Sequence, residues 1–345
     1  MSRTRAVSPM SPMLSMLPMS PMSPRRSAPD VSLPGTGVRR GFTLIELLIS
    51  MVLGVVILAA SANFATATLR SSRANDLRDG LNRDARFVGM SISRDVQDGG
   101  ISIESSQGFG SIATRGDTVA ALSTPYIPNE AEMYSMVVPV DTASLLPLGM
   151  GNCGVNCIDV TDPNVVPFQL RPGDVAMLQV QNVQRLIVLS AVTTPVAGRR
   201  RLVFSTADSL FVWPAGLSGG LRLTRFGVGV QRMNVTAWFR NGSDSTLRRS
   251  EIFLADGSLR DGVAARGVEA FTTRLQFTNG IERTQANGVD ADTTNDYNRI
   301  VSVRVRARMR VERLDRSVNG GAPLFRQYEW RITPRNLIFE RNRVL

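Results

Sequence analysis

Few side chains in this sequence are placed to do chemistry. Glu46 is the only charge in an apolar stretch that runs from Phe42 to Asn63. Two cysteines, Cys153 and Cys157, lie in Cys-Gly-Val-Asn-Cys. The run Asp290-Ala291-Asp292-Thr293-Thr294-Asn295-Asp296 offers oxygen donors at alternate positions, and Arg304, Arg306, Arg308 and Arg310 alternate along one segment. The chain has no histidine, and all 40 of its basic residues are arginine. That excludes a phosphate loop with its lysine and a lysine Schiff base. It also excludes serine or cysteine nucleophiles activated by imidazole, and zinc sites built with histidine. A carboxylate-only enzyme has no spacing signature here. No catalytic residue and no cofactor is therefore indicated.

Each group has a plain reading beside the functional one. Two cysteines at short spacing suit one local disulfide, Cys153 to Cys157, in an oxidising compartment. Two thiolates alone make a poor metal site. The acidic run lacks the glycine that a calcium loop carries at its sixth position and the acidic residue at its twelfth, where Val301 stands. It reads as a polar turn, with no metal assigned. The arginine stripe could meet DNA phosphates or an acidic partner. A solvated strand face explains it as well, and no aromatic residue interleaves for stacking on single strands. Nucleic acid is not indicated as a partner.

The elements that must position these groups begin with a helix. From Phe42 to Ala62 the segment has about 21 residues, close to the ~20 that span a bilayer. A carboxylate inside such a segment is costly unless it has a purpose. A signal anchor with an incidental glutamate is the plain alternative. Six arginines against one aspartate put +5 of the net +11 charge ahead of Phe42, which holds that end in the cytoplasm. Residues 1–38 are rich in Pro, Ser, Met and Gly and cannot build a core. Past Ala62 the pattern turns amphipathic, with Ala74, Leu77, Leu81, Ala85, Val88, Ile92 and Val96 on one stripe. Gly99-Gly100 supplies the stop. One helix of about 57 residues, about 85 Å long, is expected over 42–98.

The run Gly41-Phe42-Thr43-Leu44-Ile45-Glu46, after Arg39-Arg40, resembles the processing site of type IV prepilins and type II secretion pseudopilins. The resemblance implies that a prepilin peptidase cuts between Gly41 and Phe42 and that Phe42 becomes N-methylated. It implies that Glu46 meets a neighbouring subunit's new amino terminus during assembly. It also implies partners: other minor and major pilins and the inner-membrane assembly platform. Residues 1–41 are then a long leader; a start at Met22 would shorten it to 20 residues. The helix end Arg94-Asp95-Val96-Gln97-Asp98-Gly99-Gly100 is similar to that of PilW-type minor pilins. Counted from Phe42 the chain has 304 residues, a size those proteins share. They also end near an Arg-Asn pair, for which Arg335-Asn336 and Arg341-Asn342 are candidates. The function implied is a minor pilin in pilus assembly or priming, adhesion or twitching motility. A GspJ-like pseudopilin and a DNA-binding pilin are the alternatives. The location implied is the inner membrane, single-pass with the C-terminal domain periplasmic, and the assembled pilus.

Beyond residue 99 the sequence predicts strands and loops. Candidate strands are Val175–Val180, Arg185–Val192, Arg201–Ser205, Leu221–Val228, Met233–Arg240, Glu251–Leu254, Val268–Phe277, Ile300–Leu314 and Gln327–Ile332. In Val301–Glu312 the apolar positions Val301, Val303, Val305, Ala307, Met309 and Val311 alternate with polar ones, which predicts one buried face. Val268–Phe277 is its expected partner. Gly110–Ala131 and Pro147–Pro172, the latter holding both cysteines, are expected to be surface loops. The fold class is α+β: a long N-terminal helix, transmembrane over about 42–62, followed by an antiparallel β-rich domain over 99–345.

Overall fold

The computed structural model describes residues 41–101, 103, 105–125, 134–135, 157–162, 168–180, 183–206, 228–253, 259–288 and 290–338. The chain divides into two units, the first ending at Ser61 and the second running from Ala62 to Leu345. Helix α1 (Leu44–Asp98) is one unbroken element of 55 residues. In the first unit its apolar side chains, Leu44 through Leu58, are exposed. Ser50 and Ser61 donate their hydroxyls to the carbonyls of Leu47 and Ile57 at 2.9 and 2.8 Å. Polar side chains in the apolar stretch thus spend their donors on their own helix.

In the second unit α1 buries the predicted stripe. Leu81, Ala85, Val88, Ile92 and Val96 are buried, and Ala74 and Leu77 are half-buried. Burial of the four large side chains contributes about 1.5–3 kcal/mol each. Gly89 adds a close approach on the same face. A Cβ there would lie 2.3 Å from the indole nitrogen of Trp330. Gly100 ends the helix with φ +90°, the left-handed conformation that glycine adopts freely.

Among the described residues the strands form two antiparallel sheets. The larger contains β1 (Ile112–Arg115), β2 (Thr118–Ser123), β3 (Tyr134–Ser135), β4 (Cys157–Thr161), β5 (Val175–Val180), β6 (Val183–Val192), β7 (Arg199–Thr206), β8 (Val228–Asn241), β9 (Thr246–Phe253) and β10 (Leu259–Ala265). Its main path is β1-β2-β8-β5-β6-β7-β4, with β9 and β10 continuing from β8. β8 is the spine. Its first half pairs with β5 and β3, and its second half with β2 and β9. The smaller sheet has the order β12 (Glu282–Arg283), β11 (Val268–Phe277), β13 (Ile300–Arg310), β14 (Phe325–Ile332). One core joins the helix stripe to β1, β2, the second half of β8, β11 and β13. A second core lies among β4 to β7 and the first half of β8.

Helix, α+β class and the β11–β13 pairing agree with the sequence; several strand expectations need correction. The expected loop 110–131 contains the β1–β2 hairpin, and 147–172 contains β4. These strands show consecutive buried residues, such as Cys157 to Val160, instead of alternation. Covered on both faces, they carry no period-two signal. β13 ends at Arg310, short of Leu314, where Arg310 N–H turns to the Gly267 carbonyl. Val301 is not a core position. A register shift between Gln276 and Phe277 pairs Phe277 with Ile300, which is fully buried, while Val301 is half-buried. The bulge moves the inward set by one residue. Of the expected strand Leu221–Val228, residues 221–227 lie outside the described residues.

Replacing Gly89 with leucine should force Trp330 off α1 and destabilise the domain by about 1–3 kcal/mol. Thermal unfolding should show a loss of about 3–10 °C, partly restored when Trp330→Ala is added. An unchanged midpoint in Gly89→Leu would refute the close packing.

Candidate functional site

The helix start is built from four residues. Gly41 and Phe42 precede the helix in exposed chain outside any helix or strand, and nothing stands within 4 Å of where a Gly41 side chain would begin. Thr43 caps the helix. Its Oγ1 accepts from the Glu46 N–H at 3.3 Å, and the Thr43 N–H donates to Glu46 Oε2 at 3.0 Å. The Thr43 hydroxyl also donates to Glu46 Oε2 at 3.0 Å. This reciprocal arrangement is a capping box, and it satisfies donors that a helix end leaves free. Both bonds reach Oε2, while Oε1 has no hydrogen bond among the described residues. Sequence reasoning singled out Glu46 but missed Thr43. Its signal was the Thr-x-x-Glu spacing before an apolar run.

The sequence also missed the group that ends the helix. Asp95 accepts from Arg249 Nε at 2.7 Å and from Arg249 Nη2 at 2.8 Å, a two-pronged contact. Trp238 Nε1–H donates to the same carboxylate at 2.7 Å. Trp238 and Arg249 are cross-strand partners on β8 and β9, so both reach the helix from one sheet face. The hydrogen bonds from Arg249 to Asp95, and a further contact with Glu251, hold the guanidinium pKa above its ordinary value. Asn336 completes the helix end by donating from Nδ2 to the Gln97 carbonyl at 2.8 Å. It belongs to the predicted Arg335-Asn336 pair; Arg341-Asn342 lies outside the described residues.

The arginine stripe forms the outer face of the smaller sheet, and much of its charge is met there. Arg304 lies 2.8 Å from Glu282 and 3.3 Å from Glu329, Arg306 lies 2.7 Å from Glu329, and Arg310 lies 2.7 Å from Glu269. Arg308 stacks over the Phe325 ring at 4.5 Å. The hydrogen bond from Arg306 holds the Glu329 carboxyl below its usual range. Cys157 is the first residue of β4, buried and disulfide-bonded; Cys153 lies outside the described residues. Among the described residues no three Asp, Glu, His or Cys side chains converge as a metal site. A cleft beside the helix end is lined by Phe87, Asp95, Trp238, Arg249 and Val263. Its strongest polar groups are committed to one another.

The prokaryotic N-terminal methylation motif matches residues 38–62. The matched segment holds the Gly41–Phe42 bond, the capping box and the apolar turns after it. It supports a type IV pilin-like or pseudopilin-type protein, hence a structural subunit processed by a prepilin peptidase and assembled with other pilins. Residues 44 onward also form a helix long and apolar enough to cross a membrane. Together these fit a single-pass inner-membrane pilin. No curated protein matches the chain.

Asp95→Ala should leave Arg249 and the Trp238 N–H without their acceptor. Breaking a buried pair costs about 3–5 kcal/mol. With Arg249 32% exposed, about 1–3 kcal/mol is expected after solvent screening. Urea unfolding of the chain measures it, and adding Arg249→Met should recover part of the loss. A midpoint equal to wild type would show that the contact is not structural.

Proposed function

We propose that this chain is a minor pilin of the PilW type, a structural subunit of a type IV pilus. The observation that carries the reading is the helix start. An accessible glycine bond, a capping threonine and a lone carboxylate stand in that order at the head of an apolar helix. A peptidase working at the membrane surface needs close access to the backbone, which a glycine gives. Cleavage after Gly41 removes residues 1–41 and leaves Phe42 as a new amino terminus, which is then N-methylated.

Glu46 supplies the other half of the chemistry. In the subunit waiting in the membrane, Oε2 is held by Thr43 and Oε1 is free to accept. A cationic amino terminus brought into an apolar fibre interior needs an anion beside it, because a buried charge persists only when paired. The free oxygen of a neighbour's Glu46 answers that need. The β-rich domain following α1 lies in the periplasm and then on the fibre. A disulfide between Cys153 and Cys157 accords with that oxidising location. The size of the domain favours a minor pilin of a tip or priming complex, serving adhesion or twitching motility, over the usually shorter GspJ-like pseudopilins.

Two variants test this. Gly41→Leu should accumulate as uncleaved precursor on immunoblots; maturation at the same bond would remove the assigned site. Glu46→Ala should be cleaved normally yet be lost from sheared fibres. An unpaired buried charge costs about 3–5 kcal/mol, which is at least about a hundredfold in incorporation. Wild-type levels of Glu46→Ala in fibres would sink the role given to Glu46.

A further inference from the structure

The outer face of the smaller sheet carries more positive charge than its own carboxylates meet. Val303, Val305, Ala307 and Met309 of β13 are buried, so Arg304, Arg306, Arg308 and Arg310 take the other face. Strand pairing sets Arg274 of β11 and Arg331 of β14 directly opposite Arg304, a row of three arginines across three strands. Neighbouring strands lie ~4.8 Å apart, and like charges directly opposite one another are destabilising. Three glutamates, Glu269, Glu282 and Glu329, stand among these six arginines. Arg331 lies 3.8 Å from Glu282, which lies closer to Arg304. Arg274 and Arg308 are exposed and meet no carboxylate among the described residues. The Phe325 ring holds the Arg308 guanidinium from one side, and an arginine held over a ring still offers its in-plane N–H groups. Exposed Thr272 stands opposite Arg306, and exposed Gln327 stands opposite Arg308.

The make-up of the face selects the kind of partner. Protein interfaces are apolar and poor in charge at their centre. From Arg304 to Arg310 this face offers one large apolar side chain, Phe325, and Arg308 already covers it. A nucleic-acid strand brings a dense row of phosphates, which would set charge against all three glutamates. A polysaccharide with spaced carboxylates and many hydroxyls suits a surface on which arginines and glutamates alternate. Its carboxylates match the forked guanidinium donors, and its hydroxyls can donate to a carboxylate that accepts only. We propose that this face binds an acidic polysaccharide. Arg274, Arg308 and Arg331 take its carboxylates, and Glu329, Thr272 and Gln327 take its hydroxyls. The contact uses nothing of the helix start, so it stands or falls apart from the pilus reading.

The test is calorimetric titration of sodium alginate, a polymer of uronic acids, into the full chain in non-ionic detergent, with neutral dextran and duplex DNA as comparisons. Alginate should bind and dextran should not. Raising NaCl from about 50 to about 500 mM should weaken binding at least about tenfold. Arg274→Ser with Arg308→Ser should weaken it at least about tenfold at low salt. Arg78→Ser with Arg86→Ser removes the same charge from exposed positions of α1 and should change binding less than about twofold. No heat with alginate at low salt would overturn the proposal. So would equal losses in the two double variants, which mark attraction by net charge alone, and so would duplex DNA or dextran binding as tightly as alginate. If Arg274→Ser with Arg308→Ser does not fold, Gln327→Glu decides, because it sets a carboxylate directly opposite Arg308. Weaker alginate binding in that variant supports the site, and undiminished binding overturns it.

Discussion

Asp95 is the residue on which the second unit depends most. A carboxylate at the end of a long helix, 11% exposed, must find several donors or leave the interior. Arg249 supplies two and Trp238 a third, and both sit on neighbouring strands. The sheet can offer them only when β8 and β9 are in register and α1 has the rotation that turns Asp95 inward. That rotation also turns Leu81, Ala85, Val88, Ile92 and Val96 into the core. The polar contact and the apolar stripe select the same arrangement. Stripe burial supplies more of the energy, whereas Asp95 admits only one angular setting. Asn336 and Gly100 then finish the helix by a carbonyl contact and a left-handed turn.

The helix serves two environments with one backbone. Up to Ser61 its side chains are mostly apolar and exposed, with Glu46 as the one charge, and its serines bond back to their own turns. From Ala74 its sides differ, one facing the core and the other bearing arginines and aspartates. A helix suits this division because its backbone hydrogen bonds are internal, in lipid or against a sheet. At its start the same economy operates: Thr43 and Glu46 satisfy each other's N–H groups within the chain. Arginine as the sole basic residue fits the rest. Its planar fork serves the two-pronged contact at Asp95, the shared carboxylates of the smaller sheet and the stacking over Phe325.

How much was legible in the sequence follows from where the signals come from. The helix, its buried stripe and its glycine stop were readable because one face is wet and the other dry. β11 and β13 were readable for the same reason. β1, β2 and β4 were not, since strands covered on both faces show no alternation; only the Gly116-Asp117 turn between β1 and β2 marked a hairpin. Val301 misled because a bulge changes the inward set without leaving a mark in residue type. Of the candidate site, Gly41, Phe42 and Glu46 were legible as a motif. Thr43 was visible in spacing alone. The Asp95 cluster was not, because its members stand 143 and 154 residues apart in sequence.

On the proposed function, one cut at the Gly41–Phe42 bond leaves Phe42 at the head of the part that is assembled. The most direct measurement is mass spectrometry of the N-terminal peptide from the membrane-extracted mature protein. The expected peptide begins at Phe42 and carries one added methyl group on its α-amino nitrogen. A mature protein that begins elsewhere, or one that retains Arg39-Arg40-Gly41 ahead of Phe42, would contradict it.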